Sequence, residues 1–215
     1  MTKPDLEESF RQAYADPTNT GIELPAVDVN AVLAERYDPG EPLTLTRTML
    51  WDAEVRKAWR PDVYIPSVVA EGTADAWGHS PEPDGAESFV RMSRQRLWLR
   101  PDEYGLVLER VYVNRSRQTV TFLGAAELAD RNGNPLRADT GQPLFHVEHS
   151  VAGEESWPLN NWRIVHLTDR PDDRVVEVFS RFQSRTWLPE FIEIYIRQDL
   201  EVELTRREGA SIRLP

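Results

Sequence analysis

Four histidines occur in the chain, and two of them lie where strand alternation would put an imidazole on an apolar face. In Phe145-His-Val-Glu-His-Ser-Val151, His149 shares parity with Phe145, Val147 and Val151; in Trp162-Arg-Ile-Val-His166, His166 shares it with Trp162 and Ile164. If the two segments form a hairpin, the imidazoles sit on adjacent strands, and near-neutral titration suits such a pair to moving a proton. The competing reading is two satisfied core histidines. His146 and Glu148 fall on the other, more polar parity with Ser150 and are assigned to solvent. A third group comes from Val107 to Val113, where both parities are mainly apolar, so that either Glu109 or Arg110 must be covered and paired. Two arrangements satisfy this. One is a Glu109–Arg110 pair beneath the N-terminal segment; the other puts Arg110 and Tyr112 inward as donors to a carbonyl or enolate oxygen. The candidate catalytic residues are therefore His149, His166 and Tyr112. The candidate ligand-binding residues are Trp162, Trp98, Arg110, Phe145 and Trp59.

Other chemistries find no support. His146 and His149 are three residues apart and point to opposite strand faces, so HVEH is not a chelating pair, and no His-x-His strand is present; no metal is expected. The chain has no cysteine, which excludes a thiolate zinc site, an iron–sulfur cluster and a cysteine nucleophile. Its eleven glycines form neither a GxGxxG nor a Walker pattern, and no GxSxG occurs, so neither a nucleotide cofactor nor a serine-hydrolase elbow is expected. Acidic residues outnumber basic ones 36 to 25, and a net charge of −11 argues against nucleic acid or an anionic membrane as partner. Only Lys3 and Lys57 among the basic residues are lysines. The arginine bias fits a high-GC bacterial source. With no apolar h-region at the N-terminus and no stretch as long as a membrane span, a cytoplasmic protein is expected.

The elements that would position these residues follow from periodicity. Residues 1–42 hold two short helical patterns between prolines, one with Leu6, Phe10 and Tyr14 at four-residue steps, the other from Asp28 to Tyr37 with Asp28 as cap. They read as an N-terminal arm packing on a domain that spans 43–215. From Leu43 the period becomes two, interrupted by one helix near 51–60 on which Trp51, Val55 and Trp59 recur before Pro61. Strands are expected at 43–49, 63–69, 88–99, 104–114, 119–128, 144–151, 162–168 and 175–187, with turn residues between them. In 191–207, Ile192, Ile194, Ile196, Leu200, Val202 and Leu204 share one parity, which predicts a last strand paired with 175–187. Within strand 88–99, Arg91, Ser93 and Gln95 share one face and Arg94 and Arg96 the other, so the interior carries polar groups whichever face turns inward.

Eight to ten strands joined by short turns predict a mainly β protein, a closed antiparallel barrel with an N-terminal helical arm. It is similar in general plan to lipocalin-like and allene-oxide-cyclase-like barrels. The helix and proline of WDAEVRKAWRPDVYIP resemble the α+β helix-grip, START-like proteins, which end on a helix where a strand is expected here; that fold and a β-sandwich are the alternatives. A lumen with aromatic walls and few polar groups implies a hydrophobic small-molecule ligand. The expected function is a cofactor-independent cyclase, isomerase or lyase acting on a mostly apolar, polyketide-like natural product; the alternative is a non-catalytic carrier or sensor. A C-terminal strand at the end of the sheet would pair with a second copy in a homodimer.

Overall fold

A computed structural model describes residues 5–82, 85–139, 141–183 and 187–207. Its centre is a seven-stranded antiparallel sheet built from β1 (Thr20–Asp28), β3 (Asp75–Pro81), β4 (Glu87–Leu97), β5 (Arg100–Asn114), β6 (Thr119–Gly124), β9 (Phe145–Glu154) and β10 (Trp157–His166). The order is β1-β10-β9-β6-β5-β4-β3. Two short ribbons accompany it, β2 (Tyr37–Pro39) with β11 (Leu204–Arg206) and β7 (Glu127–Ala129) with β8 (Pro135–Arg137). The expected closure is not found: β1 and β3 stand at opposite ends of the order, and among the described residues no pairing joins them.

The helices are α1 (Leu6–Ala15), α2 (Val29–Arg36), α3 (Arg47–Trp59), α4 (Pro61–Tyr64), α5 (Asp173–Gln183) and α6 (Glu190–Gln198). Helix α3 crosses one face of the sheet. Its Leu50, Trp51, Ala53 and Ala58 share a core with Phe89, Val111, Val113, Val120, Phe122 and Val151 of the strands and with Phe191, Ile192, Tyr195 and Ile196 of α6. Farther along the same face, Val175 and Phe179 of α5 pack on Ile22, Leu24 and Ile164. The opposite face is covered by α1, whose Leu6 and Phe10 meet Leu123 and Val165. The apolar stripe of α1 and the capping of α2 by Asp28, which accepts from Ala31 N at 2.9 Å, are as the sequence predicts.

Several expectations are corrected. The last segment is a helix followed by a short strand: Leu188, Phe191, Ile192, Tyr195 and Ile196 are all buried, at helical spacing i, i+3, i+4, i+7, i+8. Reading 191–207 as one window merged α6 with β11 and let the isoleucines dominate. The strand that would have paired with a second copy is therefore a helix packed into the core. Residues 175–183 are helical too, buried through Val175 and Phe179. At 43–49, Thr46 caps α3 by accepting from Met49 N at 3.1 Å, and the Leu45 backbone N–H donates to Asn30 Oδ1; the side chain of Thr46 competes successfully with a strand ladder. Of 63–69, the first part is α4 and only Val69 bridges to a strand, opposite Gln95. Nor is the N-terminus merely an arm, since 20–28 forms an edge strand whose ladder shifts between Leu24 and Val27, where Pro25 donates nothing. Strand β3 also went unpredicted.

Candidate functional site

Alternation settles which side chains face α3. Register pairs Trp162 with His149, Ile164 with Val147 and His166 with Phe145 on β10 and β9. Phe122 of β6 stands opposite Val147, and Glu109 of β5 opposite Arg91 of β4. Arg91, Ser93 and Gln95 thus turn inward beside Glu109, while Arg94 and Arg96 turn out.

Two ionic groups are buried on this face. From α3 come Glu54 and Lys57, one turn apart and 0% and 2% exposed, joined as an ion pair. Lys57 Nζ lies 2.7 Å from His149 Nδ1, and Glu54 Oε2 lies 3.3 Å from the same nitrogen. Asn160 Nδ2 donates to Glu54 Oε1 at 2.8 Å. Burial opposes ionisation of Glu54, but the charges of Lys57 and His149 outweigh it and hold the carboxyl at about 2. For His149, burial and then the Lys57 charge push the imidazole down to about 4 against the pull of Glu54. It is neutral at pH 7. An ammonium has only protons to give, so Nδ1 accepts from Lys57 and the ring proton resides on Nε2. Among the described residues no hydrogen bond is made to Nε2.

Aromatic rings frame this group. The His149 ring stacks on Trp162 at 4.6 Å and 14° and meets Phe122 edge-on at 5.4 Å. Lys57 Nζ lies 3.9 Å from the centre of the Phe191 ring. The second ionic group is Arg91, whose Nε donates to Glu109 Oε2 at 2.6 Å and whose Nη1 donates to Ala58 O at 2.7 Å at the end of α3. Gln95 donates to Ser93 Oγ at 3.1 Å beside it.

The inner face is not evenly filled. Along β9 and β10, Phe145, Val151, Asn160 and Ile164 are buried, yet Val147, His149 and Trp162 between them keep accessible surface although they lie mid-sheet. Val147 and Trp162 each touch both the α3 core and the α5 core. These three residues, where the two cores meet, are the part of the inner face that keeps accessible surface, and they form the candidate floor of a cleft. Farther along the same face lies His166, 1% exposed beside Phe145, Phe179 and Ile164, and among the described residues neither of its ring nitrogens is hydrogen-bonded. Burial lowers His166 to about 4.

Of the residues singled out from the sequence, the structure brings His149 and Trp162 into contact and places His166 and Phe145 one further contact along the same hairpin face. Trp98 lies in the loop after β4 with its ring 4.8 Å from Phe179. Trp59 ends α3 and stacks on Phe89 at 3.9 Å, away from the cleft. Tyr112 and Arg110 turn to the opposite face, Tyr112 beside α1 and Arg110 exposed. The pair formed by Glu109 is with Arg91 under α3, not with Arg110 under the N-terminal segment. His146, assigned to solvent from the sequence, is instead covered on the α1 side, 9% exposed. Glu54 and Lys57 are not among the sequence candidates, since Trp51, Val55 and Trp59 carry the apolar pattern of α3; their signal in the sequence is a rare lysine and a glutamate on the stripe of Leu50, Ala53 and Ala58. No group of metal-ligating side chains occurs among the described residues. Among them, no helix is long and apolar enough to cross a membrane.

No protein-family model and no curated protein sequence matches the chain. Solved structures do share its fold. The Zhui aromatase/cyclase from Streptomyces sp. R1128 superposes with a TM-score of 0.51 at 10% identity, covering 83% of this chain and 95% of that one. Ara h 8.0201 superposes with a TM-score of 0.50 at 9% identity, covering 82% and 97%. The likeness supports the helix-grip alternative to the barrel and, at these identities, concerns the fold alone.

Proposed function

We propose that the chain binds a mostly apolar small molecule in the cleft over Val147, His149 and Trp162 and acts on it by cofactor-independent cyclase- or isomerase-type chemistry, the polyketide-like natural products expected from the sequence being its substrate class. The observation that carries this reading is the His149 imidazole, held by Lys57 and Glu54 at Nδ1 and keeping accessible surface beside Val147 and Trp162. Nε2–H would donate to a carbonyl oxygen of the ligand. Lys57, bonded to Nδ1, would favour charge growing on that oxygen as a solvent water takes the α-proton and an enolate forms, because a fixed cation in a water-poor site needs no reorganisation; return of a solvent proton to the carbon completes the exchange. Trp162 and Phe122 would hold a flat ligand against the face. The aromatase/cyclase with this fold adds support of the fold-analogy kind.

A carrier without catalysis is the second reading, favoured by the fact that Arg91 and Glu109, and Glu54 and Lys57, are already paired with each other. One experiment separates the two. The full-length protein is titrated with 2-acetylnaphthalene by fluorescence, and exchange of the acetyl methyl protons in D2O is followed by NMR. Binding that Val147→Trp abolishes, with exchange accelerated by the wild type and not by His149→Phe, is expected. Binding without accelerated exchange selects the carrier; no binding overturns the cleft.

A further inference from the structure

Among the described residues, His166 is a buried imidazole with no hydrogen-bond partner. A neutral imidazole has one N–H and one lone-pair nitrogen, and both ring nitrogens of His166 lack a hydrogen-bond partner at 1% exposure. Such a group is costly, and a phenylalanine would fill the same site between Phe145, Phe179 and Ile164 without that cost. The residue lies in line with the cleft. Register along β9 and β10 runs from His149 opposite Trp162, through Val147 opposite Ile164, to Phe145 opposite His166, all on the face toward α3 and α5. Four residues of strand separate His149 from His166 in this frame, roughly 13 Å of rise. Between them stand only apolar side chains, Val147 and Ile164 flanked by Phe145 and Phe179.

We propose that His166 is the second polar anchor of the cleft and that its occupant is a flat, largely apolar molecule with an oxygen acceptor at the end held by His149 and a hydroxyl at the end held by His166. The assignment rests on the cleft reading above and extends it to a ligand class. His149 offers a proton at Nε2, so the group meeting it must accept. His166 in its neutral form accepts at one nitrogen and donates at the other, which a hydroxyl satisfies at once, being donor and acceptor together. Among the described residues, groups around His166 do not compete for it: the rings packed on it from β9 and α5 are those of Phe145 and Phe179, and Asp172 beyond the end of β10 is paired with Arg174 at 2.6 Å. Thr20, its register neighbour on β1, is engaged with Thr168 at 3.1 Å.

Three probes test the proposal on the full chain: 2-acetyl-6-hydroxynaphthalene, 2-acetylnaphthalene lacking the hydroxyl, and 2-naphthol lacking the carbonyl. The wild type is expected to bind the doubly substituted probe about tenfold tighter than 2-acetylnaphthalene, the worth of one well-made hydrogen bond. In His166→Phe that preference disappears while the affinity for 2-acetylnaphthalene stays within about twofold, the spread of a substitution that touches no shared contact. Thermal unfolding shows whether the variant is folded, and the nitrogen resonances of labelled His166 in the wild type move on adding the hydroxylated probe and not on adding its counterpart. Equal affinity for the two acetyl probes in the wild type, or an undiminished preference in His166→Phe, overturns the anchor and leaves the cleft standing. Failure of all three probes to bind overturns the cleft and the anchor together.

Discussion

Lys57 Nζ and His149 Nδ1 lie 2.7 Å apart across 92 residues of chain, one carried by α3 and the other by the middle of β9. The contact ties the helix to the sheet at the point where the sheet's apolar face is interrupted. It also fixes the imidazole's tautomer, since the ammonium can only donate. A buried ion pair of this kind is poor evidence of net stability, but losing one member is expensive because the other is left as an unpaired buried charge.

Lys57→Met is accordingly expected to destabilise the protein by roughly 3–5 kcal/mol. Glu54→Gln combined with Lys57→Met should recover much of that, because neither charge remains and Asn160 keeps a partner. Urea denaturation of the two single variants and the double variant gives the coupling; simple additivity would count against the arrangement.

Removing the unbonded imidazole should act the other way. His166→Phe keeps a ring of similar shape among Phe145, Phe179 and Ile164 and removes two unsatisfied buried nitrogens, so the ligand-free protein gains roughly 1–2 kcal/mol at pH 7. A loss of stability in the same denaturation experiment would mean that the histidine has a partner.

Stability should fall as the solution is acidified through a defined window. His149 and His166 both titrate at about 4 in the folded chain, mainly because they are buried, against an ordinary imidazole value of 6.5. Between those values the unfolded chain binds more protons, so stability is full above pH 6.5 and declines towards pH 4, by up to roughly 3 kcal/mol for each group. Glu54, held at about 2, continues the decline below the ordinary glutamate value of 4.5. Denaturation midpoints at pH 7, 5.5 and 4.5 check the slope, and His166→Phe should shallow it.

The β9–β10 hairpin should be sensitive at its turn. Gly153 has φ of +78°, and a Cβ built on it would come 2.1 Å from Trp157 O. Gly153→Ala therefore meets a backbone clash as well as an unfavourable dihedral, and is expected to cost roughly 2–4 kcal/mol. Gly133, with φ of +85° but nothing within 4 Å, should lose less on the same substitution, and the two melting temperatures compare them directly.

Much of the sheet was legible because its strands are long and alternate. Residues 88–97, 104–114 and 145–151 announce themselves through parity, and the turn chemistry between them places the hairpins. What escaped is instructive in physical terms. The three isoleucines of α6 share a parity as they would in a strand, and the two periods look alike until Leu188 and Tyr195 are counted on the helical stripe. Strand β1 was hidden by Pro25, which an edge position tolerates. Parity alone grouped His149, Trp162, Phe145 and His166 on one face of the β9–β10 hairpin; that this face turns inward comes from the packing of α3 and α5 on it. Their partners on α3 could not be grouped this way, because a charged pair buried on a helix violates the pattern by which helix faces are recognised.

The order of the sheet bears on how the chain reaches this state. Strand β1 is read out first, yet its partner is β10, with Thr20 opposite His166 and Leu24 opposite Trp162. On a ribosome the first strand must wait, unpaired, until nearly all of the sheet has been synthesised, and closing so long a loop is the slow kind of step in folding. The cleft's two histidines belong to the strands that arrive late. An early-terminated chain would thus have a helix and an orphan strand but no binding site, and Glu23, Pro25 and Asp28 of β1 are the residues positioned to keep that waiting edge from pairing with the wrong neighbour.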